Sequence, residues 1–217
     1  MTEATTHDAL KMTTESSGKV RVWDPLVRIF HWSLVGAFTL AWLTADEWQT
    51  THEIAGYVVA GLVAFRLAWG LVGGRYARFA QFLQGPAATL DYLRAMFGRR
   101  ERRYLGHNPA GAAMIVALLV TLSATAFTGW LMEDPDRITL LPDLPQIVAP
   151  AYADEGETGG IDEEELEEVH EASANLLLLL VALHVGGVVL ASFRHRENLA
   201  RAMITGDKRA PGPGDIV

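Results

Sequence analysis

Cysteine is missing from all 217 residues. Its absence excludes Cys-ligated zinc, iron–sulfur clusters, thioether-linked c-type haem and structural disulfides. An excess of positive charge is missing too. The formal charge is −8, which argues against a nucleic-acid partner. Residues 1–20 are polar, rich in Ser and Thr, and lack an apolar h-region, so a cleaved secretory signal is not expected there. They read as a disordered tail. Finally, long polar stretches are scarce outside three places: this tail, the residues between about 73 and 109, and the segment 133–169.

What is present is apolar length. Four segments, at about 26–45, 54–72, 110–132 and 172–193, each approach or exceed the ~20 residues needed to cross a bilayer. They are apolar on nearly every face, and a soluble bundle built from them would have no polar surface for water. The expected fold is therefore all-α, a four-helix transmembrane bundle. Lysine and arginine set its orientation. Sixteen of the eighteen fall before the first span, near its start, between the second and third spans, or after the fourth. Both termini are expected in the cytoplasm. The opposite side carries thirteen Asp or Glu from Glu133 to Val169 against Arg137 alone. The run IDEEELEEVHE there leads into the fourth span as an outward extension of its helix, after an irregular loop containing LPDLPQIVAP and DEGETGG.

Asp24 suits a helix N-cap and Pro25 the first helical position, so the first helix should open there. The fourth span holds His170 and His184. Fourteen residues at 100° each return to within about 40° of the same face, and at ~1.5 Å per residue the two lie ~21 Å apart along the axis. His31 sits near the inner side on the first span, and His52 at the outer end of the second. Two cross-helix pairs follow, His31 with His184 and His52 with His170. His7, His107 and His195 read as solvent or headgroup residues. A lone buried histidine often only bridges helices by a hydrogen bond, but four matched in depth need another account. Zinc wants three or four protein ligands, whereas haem iron needs two axial ones. Bis-histidine ligation leaves no open position, so electron transfer is the expected task. Gly56, Gly61, Gly186 and Gly187 would admit a flat macrocycle. Arg66, fourteen residues after His52, shares its face one layer inward and suits the inner haem's propionates, with Arg28 a second candidate; snorkelling to headgroups is the plainer alternative for Arg66.

The motifs RVWDPLVRIFHW, HEIAGYVVAGLVAFRLAWGLVG with ARFAQF, HNPAGA, TGW, HEASANLLLLLVALH and SFRHRENLARAMITGDK occur in order at helix ends. In these the chain resembles the bacterial cytochrome b561 group, related to the b-type subunit of membrane-bound nickel–iron hydrogenases, from about Arg21 to Lys208. The resemblance implies a multi-pass inner-membrane protein with two b-type haems on His31, His52, His170 and His184. It also implies electron exchange between membrane quinone and an external partner, as an electron-transfer protein or a quinone-linked oxidoreductase. One branch of the group oxidises superoxide. The long acidic segment departs from compact members, would repel that anion, and favours a basic partner such as a c-type cytochrome. A b-type anchor for a hydrogenase or dehydrogenase, and a His-lined transporter or channel without haem, are the remaining alternatives. The domain reading is residues 1–20 as tail, 21–208 as the di-haem bundle in membrane lipid, and 209–217 as a cytoplasmic tail.

Overall fold

The computed structural model describes residues 18–134, 137 and 163–217. His7, Lys11, most of the proposed N-terminal tail, the irregular loop and Asp162 lie outside the described residues. Four long helices form the body: α1 (Pro25–Thr44), α2 (Gln49–Val72), α5 (Pro109–Met132) and α6 (Glu163–His195). Two shorter ones, α3 (Phe79–Phe82) and α4 (Pro86–Phe97), lie between α2 and α5, and α7 (Leu199–Thr205) follows α6. All four long helices are long and apolar enough to cross a membrane. Large apolar side chains such as Leu43, Leu71, Val72 and Phe193 stand exposed on their outer faces. Such a surface is stable in lipid and an aggregation liability in water. The chain is a multi-pass, all-α membrane bundle.

Local chemistry sets the helix starts. Asp24 Oδ1 accepts from Val27 N at 2.9 Å with Pro25 following, as expected. Asn108 repeats the device before α5, accepting from Gly111 N at 2.7 Å ahead of Pro109. Two helices begin earlier than the apolar runs. α2 starts at Gln49, so His52 N already donates to Trp48 O at 2.9 Å. α6 starts at Glu163, carrying the acidic run outward as helix. Apolarity marks the lipid-facing part of a helix, whereas hydrogen bonding continues beyond it.

Along the bundle, α1 packs on α2, α2 on α5 and α5 on α6. By contrast α6 makes no comparable contact with α1 or α2, the two helices that carry the opposing histidines. At mid-height Val59, Val63, Leu119, Leu122 and Leu177 form a buried core, with Leu34, Ala37 and Phe38 against it. Leu177 falls halfway between His170 and His184, so an apolar layer separates the two histidine levels.

The basic end holds a second small core that the apolar pattern did not foretell. Val22, Trp23, Leu105 and Ala202 are buried together there. Strand β1 (Lys19–Arg21) pairs antiparallel with β2 (Asp207–Arg209), bringing both ends of the described chain to one end of the bundle. Lys19 and Val20, expected in a disordered tail, are thus in a strand. Residues 209–217 likewise do not hang free: Leu105 N donates to Ile216 O and Ile216 N to Arg103 O, both at 2.8 Å. The reason is a buried ion cluster. Arg103 donates to Glu197 Oε1 at 2.9 Å and also bonds Asp215, while Lys208 Nζ lies 3.6 Å from Glu197. Gly206 ends α7 at φ 88°, and a Cβ there would meet Trp23 O at 2.8 Å, so only glycine lets β2 cross the start of α1.

Candidate functional site: two histidine levels

The structure brings His52 and His170 together at the acidic end. Their ring centroids are 6.1 Å apart, with planes at 75°. This separation fits two imidazoles sharing one metal, with bonds of about 2 Å each plus the half-widths of the rings. The Nδ1 atoms are committed elsewhere. His52 Nδ1 donates to the Ala41 carbonyl at 2.9 Å. Since a carbonyl only accepts, this sets the tautomer and leaves Nε2 with its lone pair. His170 Nδ1 lies 3.0 Å from Thr128 Oγ1. The Thr128 hydroxyl is itself within 3.0 Å of Thr125 O and 3.1 Å of Ala124 O, so its proton goes to a carbonyl and it accepts from His170. Both rings are oriented by α1 and α5 in the way metal-bound imidazoles usually are.

Thr128 and Gly129, within the TGW motif, both contact His170, a contact the sequence pattern does not announce. A Cβ at Gly129 would come within 3.0 Å of His170 Cε1 and 3.4 Å of its Nδ1, so the ring lies directly on the glycine. Thr125 and Ser173 bond each other at 2.8 Å, and Ser173 Oγ donates to His170 O at 2.8 Å. The clue in the sequence was Thr121, Thr125 and Thr128 at helical spacing on one face of an otherwise apolar span. If His52 and His170 hold a metal or cofactor, Thr128→Val should weaken its retention by about 10- to 100-fold, without affecting any group held near His184. Cofactor loss during dilution, followed by absorbance, reads this out; equal loss at both levels would refute it.

At the other level His31 on α1 has His184 of α6 within electrostatic range. The His31 ring meets Trp32 edge-on at 5.1 Å, and its Nδ1 is buried without a hydrogen-bond partner. Arg66 is buried too, at 4% exposure, so it does not snorkel to headgroups. Its guanidinium lies 4.7 Å over the Phe79 ring, and Nη1 has no partner. Arg28 is only partly free. Its Nη1 bonds the Ile204 carbonyl at the end of α7, while Nε is buried and unpartnered.

His107 departs from expectation. Rather than facing solvent, its ring is wedged between Trp23 and Phe82, with centroids 4.6 and 4.5 Å away. Burial pushes its pKa down to about 3, helped by the charges of Arg66, Lys208 and, least, His184. It is neutral at physiological pH. His195 is half-buried near Glu101, Arg103, Lys208 and Glu197. His107 therefore departs from the solvent or headgroup assignment, because Trp23 and Phe82 enclose its ring.

Among the described residues no group of three or more His, Asp or Glu side chains could hold a metal ion. Four membrane-length helices, with His52 and His170 brought face to face near one end, define a membrane-type helix bundle with histidines in its interior. The chain belongs to the prokaryotic cytochrome b561 family, whose model matches residues 22–206. Membership and the membrane bundle together support a membrane electron-transfer role of the cytochrome b561 type, with the haem cofactors typical of that family. No curated protein and no solved structure matches the chain.

Proposed function

We propose that this chain is a di-haem cytochrome b of the bacterial inner membrane, with both termini cytoplasmic. It would relay electrons across the bilayer between quinone and a basic external redox protein such as a c-type cytochrome. The observation that carries the reading is the His52–His170 pair, 6.1 Å apart with both Nδ1 atoms engaged. The second pair would be His31 of α1 with His184, which follows His170 by about four turns along α6.

The residues fit the group. His52 and His170 would hold the outer haem, His31 and His184 the inner. A Cβ added at Gly56, Gly61, Gly186 or Gly187 would meet nothing within 4 Å, so space is open beside the histidine-bearing helices. Arg66 Nη1 and Arg28 Nε are buried donors without acceptors. An unsatisfied donor in a bilayer interior costs several kcal/mol, and a carboxylate-bearing ligand would supply the missing acceptors. Haem held there would supply reversible one-electron chemistry. The protein's own part is to orient the imidazoles through Ala41 and Thr128, to exclude water with the Leu177 layer, and to balance buried carboxylate charge with Arg66 and Arg28.

The acidic end supports a basic partner. Glu163, Glu164, Glu165, Glu167 and Glu168 stand exposed on the first turns of α6. Arg137, the one basic residue of the segment, is pinned by Glu133 at 2.7 Å and Asp134 at 3.7 Å, with Trp130 O accepting at 2.8 Å. Little free positive charge is left to attract an anion such as superoxide. The quinol-reduced protein should pass electrons to a basic cytochrome c, and association should slow by about 10-fold or more as salt rises from ~10 to ~150 mM. Stopped-flow absorbance measures both steps. A salt-independent rate would contradict the docking assignment, and failure of quinols to reduce the haems would contradict the quinone assignment.

A further inference from the structure

The buried, unpartnered polar side-chain atoms among the described residues are Arg28 Nε, His31 Nδ1, Arg66 Nη1 and His107 Nδ1. All four belong to the basic half of the bundle. His31 is already assigned as a ligand, and the arginines as carboxylate partners. His107 has no role in that scheme, yet it belongs to the same neighbourhood. An arc of rings links the set. Arg66 lies over Phe79, Phe79 meets Phe82 at 5.8 Å, and Phe82 meets His107 at 4.5 Å. His107 then meets Trp23 at 4.6 Å. Trp23 and Arg28 both close on Gly206, whose Cβ position lies 2.8 Å from Trp23 O and 3.3 Å from Arg28 Nε.

We propose that His107 is a positioning residue of the inner site: its Nδ1–H completes, with Arg28 and Arg66, a rim that holds the carboxylates of the inner haem. The inference rests on the di-haem reading. A histidine serving only as packing would not leave a polar nitrogen buried and unsatisfied, because that costs as much as a lost hydrogen bond or more. The imidazole is held in place from both sides: by the two flanking rings, and by the adjacent Asn108 cap on α5. The charges around it are Arg66, Lys208 and the His184 imidazole. Lys208 is already engaged, donating to Leu105 O at 2.9 Å and lying 3.6 Å from Glu197, so Arg66 is the nearby cation with capacity to spare. Since His107 is neutral at physiological pH, it would act by donating a hydrogen bond rather than by adding charge.

The test is a spectroelectrochemical titration of the full-length holoprotein with His107→Phe and His107→Asn. Phenylalanine keeps the ring between Trp23 and Phe82 and removes the donor; asparagine keeps an N–H donor close to the Nδ1 position. Withdrawing a donor from a carboxylate makes the site more negative and disfavours the reduced state. The inner-haem potential should therefore fall in His107→Phe, stay near wild type in His107→Asn, and leave the outer-haem potential unchanged in both. Loss of the inner haem from His107→Phe with retention in His107→Asn supports the same assignment. An unshifted inner potential in His107→Phe, or an equal shift or loss in both variants, overturns it. A wild-type protein without haem would instead sink the underlying reading, so the two failures are distinguishable.

Discussion

Replacing His184 with alanine should halve the haem content, removing the inner haem and leaving the outer one with its spectrum and potential intact. The expectation follows from the separation of the two levels. In the proposed pairing His184 serves with His31 of α1, whereas His170 faces His52 of α2, and the buried layer of Val59, Val63, Leu119, Leu122 and Leu177 lies between the two levels. None of the hydrogen bonds that orient the outer pair involves His184: the Ala41 carbonyl serves His52 and Thr128 serves His170. His170→Ala should give the mirror result. Haem-to-protein ratios with low-temperature α-band spectra would show it. Loss of both haems on His184→Ala, or loss of only the outer one, would overturn the pairing.

The second large effect is expected at the basic end. Glu197→Ala would leave Arg103 with a buried charge and half its hydrogen bonds; the Glu197 and Arg103 side chains are 7% and 4% exposed. Breaking a buried pair from one side costs about 3–5 kcal/mol, a drop in midpoint on the order of 10 °C for a chain of this size. The double variant Arg103→Met with Glu197→Leu should recover only part of that loss, because it leaves buried Lys208 without Glu197 and Asp215 without Arg103. The same cluster sets an acid limit. Burial alone would push the Glu197 carboxyl up, but the Arg103 hydrogen bonds and the Lys208 charge outweigh it and hold the group below the usual range. A depressed carboxylate stabilises the fold above its unfolded pKa of about 4.3, and that contribution is lost as pH falls through the lower folded value. Wild type should therefore lose thermal stability progressively below about pH 4, and Glu197→Ala should show a shallower dependence there. Thermal unfolding in detergent across pH measures both. An unchanged midpoint in Glu197→Ala would show that the cluster does not hold the basic end together.

The features read most fully from the sequence are those with a local or periodic origin. Four apolar runs announce four helices because lipid requires ~20 apolar residues in succession. Asp24–Pro25 marks a helix start because a cap acts within three residues. His170 and His184 share a face by arithmetic alone, and the depth of His52 follows from its place at a span end. What escaped was non-local. The β1–β2 pairing joins Lys19 to Arg209, and the Arg103–Glu197–Asp215 cluster joins three distant stretches. No periodicity reports such contacts. His107 was misread for the same reason: it follows a run of arginines, and only the tertiary fold sets Trp23 and Phe82 on its two sides. Thr128 and Gly129 were visible as a motif, but their task depends on the approach of α6 to α5. Arg66 could be placed on its face from spacing, whereas its Phe79 contact depends on the turn into α3.

The measurement that bears most directly on the whole account is the haem stoichiometry and coordination state of the purified, full-length wild-type protein. The account predicts two b-type haems per chain, both six-coordinate and low-spin with imidazole on each axial face. None or one haem per chain, or a five-coordinate signature at either level, would contradict it.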